Sequence, residues 1–361
     1  MNLIISSYFS LLIIEQLRQV IEAVVGYHFF RYEFTVLMYG IFPLYLLYCV
    51  YTHKVKISSD LYFLVILMLY PLLTALFIYP VNYSISYIYS DTIPPFIFFF
   101  AFAFAVDPRE FKKFIDKKIV IIYYWVSCWS VLCAYFFDIS YLSLIIVQFL
   151  FPVICIQNVK SNKFGILSFL VIYFSGKRSL LLSLPFIFNL RLKYIVVFSL
   201  IFLTVLYFGF VPEKYTNFYN CLLYDGVQQA RCNDPRMQQI LVVSQTIKEL
   251  PITALIFGIG AGFYYNVLDS SRNIDISHNV HFSPLGLIST YGIIYAAAVY
   301  GYIARIVFKF KIKTSADRIF YYYSCFGLIY SLFAYSLFID FMFVISLLYL
   351  KNTTSSANFF K

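Results

Sequence analysis

Apolar runs long enough to cross the hydrocarbon core of a bilayer as helices recur along this chain, separated by short polar breaks. Of its 361 residues, 62% are hydrophobic and only 12% charged, and the mean hydropathy is +0.81. A soluble domain is about half apolar and a quarter charged. The chain must therefore use lipid as its solvent for most of its length, and the expected fold is an all-α polytopic integral membrane protein. Spans are expected at 2–26, 34–51, 61–79, 93–106, 119–137, 141–157, 164–175, 179–190, 194–211, 284–308, 319–338 and 339–350, which makes twelve. This divides the chain into nine spans over 1–211, one long polar loop over 212–283, and three spans with a tail over 284–361.

The cations set the orientation. The even-numbered connections carry Lys54 and Lys56; Arg109, Lys112, Lys113, Lys117 and Lys118; Lys160 and Lys163; Arg191 and Lys193; and Lys309, Lys311, Lys313 and Arg318. The tail adds Lys351 and Lys361. The odd-numbered connections hold eight cations, five of them in 212–283. Cytoplasmic loops are the ones enriched in Lys and Arg, so both termini are expected in the cytoplasm and the long loop outside. The net charge of +10 is spread over short loops and forms no basic face, so no nucleic-acid partner is expected. Residues 1–14 lack the basic start and small-residue cleavage site of a signal peptide.

The cysteines offer no metal spacing. Cys49, Cys128, Cys133, Cys155 and Cys325 lie in apolar stretches and read as small core side chains. Cys221 and Cys232 lie in the long loop and can pair if that side is oxidising. Glu15, Arg18 and Glu22 stand at helical spacing in the first span and read as a self-satisfied ion cluster or as the sign of a span that starts later. Within the long loop, 235–250 has helical patterning, and Gly258-Ile259-Gly260-Ala261-Gly262 follows no strand–turn–helix unit, so it reads as a turn and not as a nucleotide loop.

The topology gathers four rare polar positions on the outer side: Arg178, Arg236, His278 and His281. Arg178 and Lys177 sit in a tight connection beside Ser179; they are either interfacial side chains reaching for water or an anion site, because a guanidinium matches phosphate oxygens bidentately. Arg236 is a solvated loop charge or a second anion contact. His278 and His281 are an interfacial pair or a source of a general base, since a neutral imidazole takes a hydroxyl proton near pH 7. A metal pair is the third reading, but no carboxylate or thiolate completes the set at helical spacing, Asp275 being the one close candidate, and no cofactor is expected.

Ser175-Gly176-Lys177-Arg178-Ser179-Leu180-Leu181, Arg236 followed by Pro251 and Phe257-Gly258-Ile259-Gly260-Ala261-Gly262, and His281 followed after Phe282 and nine residues by Gly292-Ile293-Ile294-Tyr295 occur in that order. In this, and in the late outer loop, the chain resembles the O-antigen polymerase/ligase superfamily of bacterial envelope glycosyltransferases, specifically a Wzy-type polymerase. Phe282 departs from the family's small polar residue; His278-Asn279 has the right dipeptide but the wrong distance to its glycine. The resemblance implies a metal-independent glycosyltransferase of the inner membrane, working at the periplasmic face on oligosaccharide repeat units carried by undecaprenyl pyrophosphate, within lipopolysaccharide biosynthesis. It implies catalytic roles for Arg178, Arg236 and His281 and substrate contacts for Lys177 and His278. Membrane lipids and the pathway's flippase and chain-length regulator are the further partners it implies. An O-antigen ligase, with lipid A–core as acceptor, is the near alternative, and a lipid-linked oligosaccharide flippase the distant one.

Overall fold

A computed structural model describes residues 2–25, 44, 47–48, 51, 55–78, 84–106, 108–112, 118–136, 151–155, 163–174, 243–244, 246–263, 265–269, 274–277, 283–333, 338 and 340–359. The structure is mostly helical. In chain order it contains α1 (Asn2–Val25), β1 (Val55–Ile57), α2 (Leu61–Phe77), α3 (Ile85–Phe102), β2 (Phe104–Val106), α4 (Pro108–Lys112), α5 (Lys118–Phe136), α6 (Lys163–Phe174), α7 (Ile252–Phe257), β3 (Tyr265–Asp269), β4 (Ile274–Ser277), α8 (Ser283–Lys309), α9 (Ser315–Phe333) and α10 (Phe341–Phe359). The strands form two short antiparallel pairs, β1 with β2 and β3 with β4. Among the described residues one helix, Pro284–Lys309, is by itself long and apolar enough to cross a membrane; Leu61–Phe77 and Lys118–Cys133 are shorter apolar helices.

The expected spans at 2–26, 61–79, 119–137, 164–175 and 284–308 coincide with α1, α2, α5, α6 and α8 to within one or two residues. Three others need correction. α3 begins at Ile85, eight residues before the expected 93, and 104–106 is strand β2 pairing with β1. Hydropathy marks where apolar side chains start, whereas a helix starts where its backbone is capped or paired. α9 begins at Ser315, four residues before the expected 319, and its described residues run to Phe333. α10 runs on to Phe359, so Lys351, expected in an aqueous tail, is a helical residue only 7% exposed. The spans at 34–51, 141–157, 179–190 and 194–211 lie wholly or largely outside the described residues.

Prolines explain how α2, α3 and α8 fit together. Pro71 and Pro95 have no N–H, so the carbonyls four residues earlier, on Leu67 and Asp91, lose their usual helical donor. Two tyrosines on α8 supply the missing donors: Tyr295 Oη donates to the Leu67 carbonyl (3.0 Å) and Tyr291 Oη to the Asp91 carbonyl (2.7 Å). Tyr70 stacks on Tyr295 with centroids 5.1 Å apart. The aromatic groove between α2 and α3 is thus matched to α8 by polar atoms as well as by packing.

The pairs also fix direction. Phe9 meets Tyr123 and Gln16 Nε2 donates to Ser127 Oγ (2.8 Å), so α1 and α5 run parallel. Phe63 meets Tyr302 and Tyr70 meets Tyr295, so α2 and α8 run antiparallel. Tyr291 reaches Asp91 and Tyr302 meets Phe99, so α3 and α8 run parallel. Phe310 meets Tyr321 and Tyr300 meets Ser331, so α8 and α9 are antiparallel. In α1 the ion cluster forms as its spacing requires: Arg18 Nε and Nη2 lie 2.7 and 2.6 Å from the Glu15 carboxylate, and Nη1 pairs with Glu22. Cys128 is a buried free thiol, Cys155 is buried, and Cys133 and Cys325 are partly buried free thiols. Cys49, Cys221 and Cys232 lie outside the described residues.

Candidate functional site

The turn Gly258–Gly262 is the hub of one end of the bundle. α7 ends at Gly258, whose N–H closes the helix on the Ala254 carbonyl (2.8 Å). The next amides are spoken for in turn: Ile259 N–H donates to the Ser289 carbonyl (2.7 Å), Gly260 N–H to the Thr290 carbonyl (3.1 Å), and Gly262 N–H to Asp91 Oδ2 (2.7 Å). The Gly262 carbonyl accepts from Ser84 N–H (3.1 Å). The amides of Ile259, Gly260 and Gly262 are therefore already bonded to protein, and the reading as a turn, not a nucleotide loop, agrees with this geometry.

Glycine is required at two contacts. Gly258 has φ +91°, and a Cβ there would lie 2.2 Å from the Thr290 carbonyl oxygen. Gly292 has φ +83° inside α8, where it makes a kink, and its Cβ would lie 1.9 Å from the Ile256 carbonyl oxygen. The Gly-x-Gly-x-Gly element and the glycine that follows His281 are thus the two halves of one close backbone contact.

The helical residues that follow Arg236 in sequence are anchored at the same place. Residues 243–244 and 246–249 are helical, within the expected 235–250 stretch. Val243, 1% exposed, packs with Ile247, with Phe263 just after the glycine turn, and with Leu285 in the first turn of α8. Arg236 lies seven positions before Val243 and His281 four positions before Leu285 in the sequence. Arg178, Lys177, Arg236, His278 and His281 themselves lie outside the described residues. In sequence, Arg178 follows the end of α6 by four residues, and the two histidines fall between β4 and α8.

Sequence reading passed over Asp91 and Asp340. Asp91 ties the glycine turn to α3. Asp340 caps α10 from inside the bundle, its Oδ1 accepting from Met342 N–H (2.9 Å) and its Oδ2 from Tyr323 Oη (2.6 Å). Each is a lone acid in an apolar neighbourhood, a signal that could have found both.

The opposite end holds a second polar cluster. Lys351 Nζ donates to Ser58 Oγ (2.7 Å) and to the Phe102 carbonyl, above the Phe102 ring. Asp317, 4% exposed, accepts from Lys313 N–H (3.0 Å), from Thr314 N–H (2.8 Å) and from Tyr349 Oη. Burial works to raise its pKa, but these donors outweigh it and hold the carboxyl below its ordinary value. No group of three or more metal-ligating side chains occurs among the described residues.

Comparison with family models, with curated proteins and with solved structures finds no match for this chain.

Proposed function

We propose that the chain is a twelve-span membrane glycosyltransferase that polymerises lipid-linked oligosaccharide repeat units at the outer face. The observation that carries the proposal is the convergence of three motif-bearing segments at one end of the bundle: the helical stretch after Arg236, the glycine turn, and the head of α8 after His281. The helix directions support the topology. α3 and α8 correspond to the fourth and tenth spans, and their parallel packing fits the odd number of crossings that the five spans assigned between them provide. The antiparallel α2–α8 pair and the parallel α1–α5 pair fit the same alternation. The Lys-rich turns at Lys309–Arg318 and the β1–β2 pair lie at the end opposite the glycine turn, as the orientation rule requires.

In this reading the bond between the donor's anomeric carbon and its pyrophosphate breaks, and the pair of electrons leaves on the phosphate oxygen. Arg178 and Arg236 stand where that negative charge develops, a position worth about a hundredfold to a thousandfold in rate for one well-placed donor. His281 accepts the proton of the attacking sugar hydroxyl as the new glycosidic bond forms. Lys177 and His278 hold substrate. The glycine junction keeps these segments in register and does no chemistry itself.

The test is a lipopolysaccharide gel of the deletion strain beside its parent, complemented with Arg178→Ala, Arg236→Ala and His281→Ala. The expected result is collapse of the ladder to core plus one repeat unit, restored by the parent gene and not by the three variants. Polymer accumulating on the lipid carrier would instead mark a ligase. Repeat units trapped on the cytoplasmic side would mark a transporter, and an unchanged ladder would refute the reading for this glycan.

A further inference from the structure

The turn between α8 and α9 presents a strip of positive charge with a fixed backbone. Lys309, Lys311 and Lys313 are all exposed, while Phe310 between them is 7% exposed and packs on Tyr321. The three lysines thus lie at the surface of the turn. Phe308, at the end of α8, is 79% exposed and Ile312 is 41% exposed, so apolar surface borders the strip. The only acid between residues 300 and 318 is Asp317. Among the described residues it makes no ion pair with these lysines; its buried carboxylate accepts from the Lys313 and Thr314 amides and from Tyr349. Asp317 N–H returns a bond to Thr314 Oγ1 (3.2 Å), a reciprocal cap that fixes the turn at the start of α9. Arg305 and Arg318 flank the strip and are exposed as well.

We propose that Lys309, Lys311 and Lys313 form a docking strip for the phosphate headgroups of anionic phospholipids in the leaflet at this end of the bundle, with Phe308 on the acyl side. Three like charges held together need a multiply anionic surface opposite them, and the adjoining exposed apolar side chains suit the boundary of headgroup and acyl chain. A soluble acidic partner would leave Phe308 facing water. The inference rests on the membrane reading and is independent of the chemistry assigned to the outer face.

The full chain is first recovered from the membrane fraction; its absence there would refute the membrane reading itself. The purified protein is then reconstituted in nanodiscs of phosphatidylcholine with phosphatidylglycerol, and retained lipids are counted by native mass spectrometry. Each lysine near an anionic surface contributes about fivefold in affinity. Wild type should retain phosphatidylglycerol over phosphatidylcholine at least about tenfold, and the triple variant Lys309→Gln, Lys311→Gln, Lys313→Gln should fall close to parity. The triple Lys→Arg variant should keep the preference. The lysines are exposed, so an unchanged melting temperature in the Gln variant shows that the fold survives. Equal retention of the two lipids by wild type, or an undiminished preference in the Gln variant, overturns the proposal. So does lysine-dependent binding of a polyglutamate peptide without any lipid preference, which would make the strip a protein-docking site.

Discussion

Replacing Tyr295 by Phe removes one oxygen from a site where its role is defined by a proline on another helix. Pro71 cannot donate to Leu67, and the Tyr295 hydroxyl, on a side chain 3% exposed, donates to that carbonyl at 3.0 Å. Water has no access to replace it, while the Phe ring keeps the 5.1 Å stack on Tyr70. An orphaned buried acceptor costs about 1–3 kcal/mol, and hydrogen bonds between membrane helices average about 0.6 with a maximum near 1.7 kcal/mol. The expected cost of Tyr295→Phe is therefore about 1–1.5 kcal/mol. In a Pro71→Ala background the amide at position 71 can bond Leu67 directly, and the same change should cost under about 0.5 kcal/mol. The coupling, about 1 kcal/mol, is read from a double-mutant cycle by reversible unfolding of the four proteins in mixed micelles. If the two changes are additive within about 0.3 kcal/mol, Tyr295 does not serve the carbonyl that Pro71 releases, and the account of α2–α8 docking is wrong.

Gly292→Ala should destabilise the protein by roughly 3–6 kcal/mol, combining a φ of +83° with loss of the two bonds from the glycine turn to α8. Gly301→Ala in the same helix, where a Cβ meets nothing within 4 Å, should be neutral or stabilising by up to about 1 kcal/mol; equal melting temperatures for the two variants would contradict the close contact. Asp317→Ala should cost roughly 2–4 kcal/mol at pH 7 through the lost cap and the orphaned Tyr349 hydroxyl. Because the folded pKa of Asp317 is lowered from 3.8, the unfolded chain binds its proton first. The advantage of wild type is thus complete above about pH 4 and shrinks as pH falls through the lowered value. A gap that widens on acidification would reverse that sign and refute the assignment.

The helices were legible where an apolar run and a helix begin for the same reason. α2, α5 and α8 start at or beside polar or charged residues and are apolar over most of their length, so hydropathy located their ends closely. α3 and α10 were misplaced because their ends are fixed by partners. α3 reaches back to Ile85, beside Ser84, whose N–H bonds the Gly262 carbonyl, and α10 continues past Lys351 because Ser58 and Phe102 receive its ammonium group. The ion cluster of Glu15, Arg18 and Glu22 was readable because all three partners lie within two helical turns. Asp91 was not, because its partner is 171 residues away.

The sequence by itself determined the helical class, the periodic placement of the long apolar helices and the separation of Lys-rich turns from the glycine-bearing loop. These depend on the solvent each residue requires and on local spacing. Only the tertiary structure decided that Gly258 and Gly292 meet backbone to backbone, that Tyr291 and Tyr295 serve carbonyls released by Pro95 and Pro71, and that Lys351 is buried. Each of these pairs atoms from helices distant in the chain. A glycine, a proline or a lysine states locally only what its own backbone or charge allows, and the partner that makes it necessary is chosen by packing.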